Sequence, residues 1–178
     1  AVDDCREQHG KALDYAHALG DPEWEARALS GLADADYATG RIRSALERFR
    51  RCVEVCEVHG LPRIALPNRA MVGLCRGFLA DFDGGLADMH AARAAAAQLG
   101  DRHAEMLALE CIGLLGALCG RYAEAEEFIR HGLELVVSIG ARRYETTLYG
   151  GLAECALAGG RKAEAREAIE RAVAAARE

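Results

Sequence analysis

Proline, serine and threonine are scarce in this sequence. There are 3 prolines in 178 residues, and the aliphatic hydroxyls are confined to Ser30, Ser44, Ser138, Thr39, Thr146 and Thr147. A fold of many short strands needs turn formers between them, so an all-β architecture is excluded. Aromatic residues amount to 6%, which leaves the core to be built from aliphatic and very small side chains. No apolar run approaches the ~18 residues of a membrane-spanning helix, so a membrane is not an expected partner. Positive charge is short as well. The net charge is −6 with both signs interspersed, and without a basic stripe nucleic acid is not an expected partner either. Cysteine is present, but its 7 residues are odd in number, irregularly spaced and without a Cys-x-x-Cys. That argues against a disulfide framework, and reduced thiols in a cytoplasmic compartment are the expectation. No secretory signal is visible, and the chain opens Ala-Val-Asp rather than on methionine, so it is expected to be a piece of a longer protein.

What the sequence does have is alanine and a fixed interval. Residues 119–128 read CGRYAEAEEF and residues 159–168 read GGRKAEAREA. Stacked at a period of 40, Gly20, Gly60, Gly100 and Gly140 form one column, and Gly40, Ala80, Gly120 and Gly160 form a second column halfway between. The segments between these marks have helical periodicity. Over 41–59, apolar residues fall at Ile42, Ala45, Leu46, Phe49, Cys52, Val53 and Cys56, the three- and four-residue spacing of one helix face. Glycine just past the last periodic residue is a helix stop, because it adopts positive φ without a Cβ clash. The spacing predicts helix A over 22–38, 62–79, 102–118 and 142–158. Helix B is predicted over 2–18, 42–58, 82–98, 122–138 and 162–177. A lone helix B (1–20) would precede four pairs (21–60, 61–100, 101–140, 141–178) in a single array. One such pair cannot bury its apolar stripe alone, so neighbours must stack.

The columns also predict contacts. Leu32-Ala33, Val72-Gly73, Ile112-Gly113 and Leu152-Ala153 each place a large residue before a small one, and Ala45, Gly85, Ala125 and Ala165 follow 13 residues after the large one. Small residues facing each other across the A-to-B turn let the helices approach toward the lower end of the ~8–10 Å range.

This pattern resembles the tetratricopeptide repeat: Leu-Gly/Ala, glycine at the turn, an aromatic or aliphatic residue two positions on (Ile42, Phe82, Tyr122), then alanine. A later large-residue slot holds Phe49, Met89, Ile129 and Ile169, followed three on by Cys52, Ala92, Gly132 and Ala172. The resemblance covers essentially the whole chain and implies an all-α, right-handed α-α superhelix. Two features depart from it. The usual period is 34 residues, and a period near 40 by itself favours HEAT or armadillo repeats; the internal spacing of the small residues favours the tetratricopeptide type. Pro67 falls inside the second helix A, where proline is expected to kink the helix or delay its start. Residues 26–60 also resemble the C-terminal repeat region of large bacterial signalling ATPases, including nucleotide cyclases and transcriptional regulators. That implies a sensing or docking role, with any ATPase or cyclase module lying outside this stretch.

Candidate chemistry is thin. Cys52, Cys56 and His59 would share one helix face, as zinc ligands would. Their columns hold Ala12, Ala92, Gly132 and Ala172; Ala16, Ala96 and Val136; and Leu19, Leu99 and Ile139, so core packing is the favoured reading. Cys5 shares the Ala45 column and is expected to pack likewise; Cys119, near a turn, is the first candidate for an exposed, reactive thiol, with packing the favoured reading there too. There is no phosphate loop and no His-Glu-x-x-His, and the serines lack a nucleophile context. Glu124, Glu126 and Glu127 read as a solvated charged face. The cluster Arg41, Arg43, Arg48, Arg50 and Arg51 reads as pairing along the helix with Glu47, Glu54 and Glu57. No cofactor and no catalytic residue is expected.

In tetratricopeptide arrays the A helices line the concave surface. The resemblance therefore carries partner binding to Arg27, Asp34, Tyr37, Leu74, Phe78, Glu110, Leu114, Leu118, Glu154 and Leu157. Leu74, Phe78, Leu114 and Leu118 are expected to form a central apolar patch of the kind that marks contacts, unless the superhelix closes over them. The leading functional expectation is a non-catalytic interaction or regulatory module that binds a peptide, a partner protein or an adjoining domain of its own parent chain. The alternative is a small-molecule sensor with an inducer in the central trough. A third expectation is a homodimer formed through the array ends, helix 2–18 having no preceding A helix.

Overall fold

The computed structural model describes residues 2–177. These form α1 (Val2–Leu19), α2 (Pro22–Ala38), α3 (Ile42–His59), α4 (Pro62–Phe78), α5 (Phe82–Leu99), α6 (Arg102–Leu118), α7 (Tyr122–Ile139), α8 (Glu145–Ala158) and α9 (Lys162–Ala175), with no strand among the described residues. A 3₁₀ turn, Arg142–Tyr144, precedes α8, so the fourth helix A starts three residues later than its pattern suggests. Neither end of that turn has a side-chain cap, whereas Asp21 and Asp101 accept backbone N–H bonds at the starts of α2 and α6. No helix of the described residues is long and apolar enough to cross a membrane.

The chain divides into two compact units, Ala1–Asp88 and Met89–Glu178. In the first, α2 packs on α1 and α3, and α3 on α4. Its core has two centres. One gathers Ala26, Leu29, Cys52, Val55, Cys56 and Ala65; the other gathers Ala33, Ala45, Leu46, Phe49 and Cys75. In the second unit α6 packs on α7 and α8, and α8 on α9, around Met106, Leu109, Ile129, Leu135, Val136 and Leu148.

The repeat is visible in the turns. At each A-to-B turn the residue after the turn donates its N–H to a carbonyl five positions back: Arg41 to Asp36 (2.9 Å), Asp81 to Arg76 (3.0 Å), Arg121 to Gly116 (2.8 Å) and Arg161 to Ala156 (2.9 Å). This is the Schellman closure, which needs a left-handed residue just before the donor. Glycine supplies it at Gly40 (φ 74°), Gly120 (φ 76°) and Gly160 (φ 73°), and Ala80 is forced into the same conformation at φ 70°. An L-residue with a Cβ is strained there by roughly 1–2 kcal/mol. Ala80→Gly is therefore expected to gain about 1 kcal/mol and to raise the melting temperature by about 2–4 °C. A calorimetric scan showing no gain would contradict the equivalence of the four turns.

The small-residue seam is in place. Ala33, Ala45 and Ala125 are fully buried, and Ala153 and Ala165 nearly so. A Cβ on Gly116 would lie 3.2 Å from the Ala125 Cβ, and one on Gly113 would lie 2.4 Å from the Ile129 Cγ1.

Pro67 corrects an expectation. α4 begins at Pro62 and continues as helix through Pro67 to Phe78. Proline at the first helical position has no N–H to lose and a preset φ. Pro67 lies past the first turn and forfeits the one backbone bond its own N–H would have made, while the neighbouring Asn68 side chain adds a bond to the Ile64 carbonyl (2.7 Å).

Candidate interaction faces

The sequence-predicted binding residues lie on A helices and are described unit by unit. In the first unit, Arg27, Asp34 and Tyr37 share one face of α2. Arg27 is engaged along its own helix by Glu23 (2.8 Å). Asp34 is solvent-exposed, yet the protein around it raises its carboxyl above the usual range, the charge of His9 pulling the other way. Tyr37 is half-buried and lies against Phe78 of α4, ring centroids 6.2 Å apart and tilted by 39°. Phe78 is 41% exposed.

Leu74 is a correction. It is 3% exposed and does not reach the surface. The buried residues of α4 run Ala65, Leu66, Asn68, Ala70, Gly73, Leu74, Cys75 and Gly77. At 100° per residue these fall all around the helix, so α4 has no wide solvent face on which a leucine could be displayed.

In the second unit, Glu110, Leu114 and Leu118 lie on α6 and Glu154 and Leu157 on α8, two helices in direct contact. Leu114 is half-buried, whereas Leu118 is 49% and Leu157 59% exposed. Burial raises the Glu110 carboxyl, opposed by the hydroxyl of Thr147, which donates to it, and by the charge of Arg143. A side chain added at Gly150, on the same face, would meet nothing within 4 Å. The face thus alternates carboxylates with exposed leucines over open space.

Two charged networks escaped the sequence reading. Asp36 is fully buried and accepts from Arg41 (2.8 Å) and from Arg48, with Arg6 at 3.8 Å. The arginine cluster is therefore not chiefly paired along its own helix; of the pairs foreseen, Arg51 reaches Glu54 (3.4 Å), and Glu57 is taken by Arg69 (2.6 Å). Glu126 is likewise not on a solvated face. It is 9% exposed and is gripped by Arg161 (2.6 and 2.9 Å) and by Arg130 (2.6 Å). The Arg161 hydrogen bonds hold its carboxyl below the usual range against the opposing effect of burial. Each network includes a partner 12 or more residues away, Arg48 for Asp36 and Arg161 for Glu126, which helical periodicity does not register. A signal was available in the columns: Asp36, Arg41 and Arg48 stand forty residues before Arg76, Asp81 and Asp88.

The thiols are mostly core. Cys52 and Cys56 are buried, and Cys52 donates to the Ala26 carbonyl (3.2 Å), while His59 is exposed at the helix end. Among the described residues no group of three or more His, Cys, Asp or Glu could hold a metal ion. Burial pushes the Cys75 thiol up to about 11 and raises Cys52, Cys56 and Cys155. Cys5 corrects the column argument: it is exposed, whereas Ala45 in the same column is fully buried. A maleimide at neutral pH should label Cys5 quickly and Cys119, partly exposed, more slowly; the five buried thiols should react only on unfolding. Rapid native labelling of three or more would contradict the packing.

No protein-family model matches the chain, and no curated protein matches it in sequence. Solved structures do match its fold. BtubC (BKLC) from P. vanneervenii superposes with a TM-score of 0.75 at 16% identity, covering 98% of this chain and 72% of that one. RapI in its apo form gives 0.71 at 13% identity over 97% of this chain and 76% of that one. A putative kinesin light chain from Podosopora anserina with nearly identical TPR-like repeats gives 0.67 at 16% identity over 98% and 86%. The likeness is one of fold, and it makes this chain an all-α, tetratricopeptide-like helical repeat.

Proposed function

We propose that this chain is a non-catalytic interaction module that holds a polypeptide segment against its A-helix faces, foremost the α6–α8 face of the second unit. The observation that carries the reading is the exposure of Leu118 and Leu157 beside the carboxylates Glu110 and Glu154. Large apolar side chains grouped on one face and rimmed by polar groups are a contact signature. Asp34, Tyr37 and Phe78 offer the first unit a smaller face of the same kind. The segment would come from a partner protein or from an adjoining domain of a longer signalling protein, in the reducing cytoplasmic compartment that the thiols suit. Exposed Ile169 and Val173 on α9 and Tyr15 and Leu19 on α1 favour self-association through the ends as a second contact. Concentration-independent monomers in sedimentation would remove it.

One cleft, lined by Glu126, Tyr149, Leu152, Ala168 and Arg171 among others, measures about 180 Å³, below the ~300–1,000 Å³ usual for small-molecule sites. Another, of about 340 Å³, is lined by Lys162, Ala163, Arg166, Glu167 and Glu170 and lacks the apolar lining such sites have. The test is a displayed peptide library panned against the whole chain. Enriched peptides should lose at least about tenfold in affinity, roughly 1.4 kcal/mol, when Leu118→Asp and Leu157→Asp are introduced, with the helical circular dichroism unchanged. Undiminished binding would remove the face. Saturable thermal stabilisation by a metabolite, with no peptide enriched, would turn the reading to a sensor.

A further inference from the structure

The first two A-to-B turns carry charged triads that are inverted copies of one another. In the first pair a carboxylate on helix A, Asp36, is held by two guanidiniums, Arg41 and Arg48. In the second pair the residue forty positions on is a guanidinium, Arg76, held by two carboxylates, Asp81 (2.6 Å) and Asp88 (2.5 Å). The positions and separations are the same, and only the signs are exchanged. The space around them has been exchanged to match. Gly84 leaves room for the Arg76 guanidinium, since a Cβ there would lie 2.0 Å from its Nη2, whereas the first pair has Ser44 at that position. The third and fourth pairs lack the triad, with Gly116, Arg121 and Phe128, then Ala156, Arg161 and Ala168, in its columns.

Little else tells these two pairs apart. The seam positions hold small buried residues in both, Ala33 and Ala45 in one, Gly73 and Gly85 in the other. Both turns close with the same backbone bond through a left-handed residue. The B helices carry similar apolar residues at matching positions, Leu46 and Phe49 in one, Leu86 and Met89 in the other, all buried. A self-similar array of this kind is prone to pairing one repeat's helix with its neighbour's, within a chain or between two copies.

We infer that the exchanged signs form a pairing key, which lets each A helix of the first unit accept its own B helix and reject the other's. With α2 mispaired to α5, Asp36, which is fully buried, would meet Asp81 and Asp88. With α4 mispaired to α3, three guanidiniums would converge. Like charges in a desolvated contact are strongly unfavourable, so each wrong pairing is repelled where the right one is held.

The test uses two variants of the full chain. In the first, Arg76→Asp, Asp81→Arg and Asp88→Arg give both triads the same sign; the two ion pairs of the triad can re-form with their signs exchanged, but the keys no longer differ. In the second, Arg76→Gln, Asp81→Asn and Asp88→Asn remove the charge. Asp81→Arg also removes the cap that Asp81 gives the Gly84 N–H and sets a guanidinium against Arg50, neither of which Asp81→Asn does. Asp81→Arg made singly is therefore refolded beside them; a yield as low in it as in the same-sign variant would overturn the key. Each is unfolded in urea and refolded by dilution over a range of concentrations, following helix recovery by circular dichroism and monomer yield by size exclusion. The same-sign variant should keep a native-like unfolding midpoint, yet show a slow refolding phase and a monomer yield lower by about two-fold or more. The neutral variant should fall between it and the native chain. Native rate and yield in the same-sign variant would overturn the key. So would a neutral variant that refolds worse than the same-sign one, which would make the triad a matter of stability alone. Should the same-sign variant not fold, native-like yield in the neutral one overturns the key by itself.

Discussion

Asp36→Ala is expected to destabilise the chain by about 3 kcal/mol, toward the lower end for breaking a buried ion pair. The lower end applies because the groups left behind, Arg41 and Arg48, are 38% and 32% exposed and can turn to water, although Asp36 itself is fully buried. Their anchoring also ends, and with it the tie between α2 and α3 at the turn. In a chain of this size that loss lowers the melting temperature by roughly 6–12 °C. Urea denaturation followed by circular dichroism measures it directly. Arg76→Ala should cost less, because Asp81 and Asp88 are more exposed than Asp36 and exposed pairs contribute little. Equal losses at 36 and 76 would mean that burial is not what gives the first triad its weight.

Ala125→Leu is the second large effect, about 3 kcal/mol of overpacking. Ala125 has no exposed surface, and α6 faces it with glycines that leave little slack: even a methyl group on Gly116 would come within 3.2 Å of the Ala125 Cβ, and the space beside Gly113 is filled by Ile129. The extra carbons must therefore push α7 off α6 or drive Ile129 out of its rotamer. Leucine is as good a helix former as most, so local propensity does not account for the loss. Ala123→Leu, two residues earlier on the exposed side of the same helix, should change stability by no more than about 0.5 kcal/mol. The pair separates a packing effect from a propensity effect within one turn of helix.

These expectations follow from features that differ in how openly the sequence displays them. Helix boundaries and turns were legible because glycine at positive φ and a 3.6-residue apolar stripe are local signals, repeated often enough to check one another. Ala80 fits that logic: its column predicted the left-handed turn that its own residue type does not. The seam was legible from the same columns, since only very small side chains occur at its positions. Leu74 was misplaced because a single-stripe rule assumes one buried face, and α4 is enclosed all round. Cys5 was misplaced because a column argument presumes the same neighbours in every repeat, and among the described helices α1 packs chiefly on α2, where α3 packs on both α2 and α4. Asp36 and Glu126 were missed for the opposite reason. Charged residues on a helix ordinarily face water, and only partners brought close by the fold, 12 residues away for Arg48 and 35 for Arg161, make them interior groups.

For the candidate faces the sequence supplied the column positions and the structure supplied exposure. Phe78, Leu118 and Leu157 stand out among the exposed large apolar side chains because they lie on A helices beside carboxylates. The carboxylates beside them, Asp34 and Glu110, are both raised by the protein packed around them, so a cationic group arriving there would relieve part of that cost. A partner segment with basic and apolar residues in alternation is the expected outcome of the peptide selection.

The seam is most directly tested by making the same change at all four of its B-helix positions. Ala45→Leu, Gly85→Leu, Ala125→Leu and Ala165→Leu, each made singly, should all lower the urea midpoint markedly, while leucine at the exposed positions Arg43, Ala123 and Ala163 leaves it in place. Seam and solvent-face series that cannot be told apart would show that close approach through these small residues is not what joins the helix pairs.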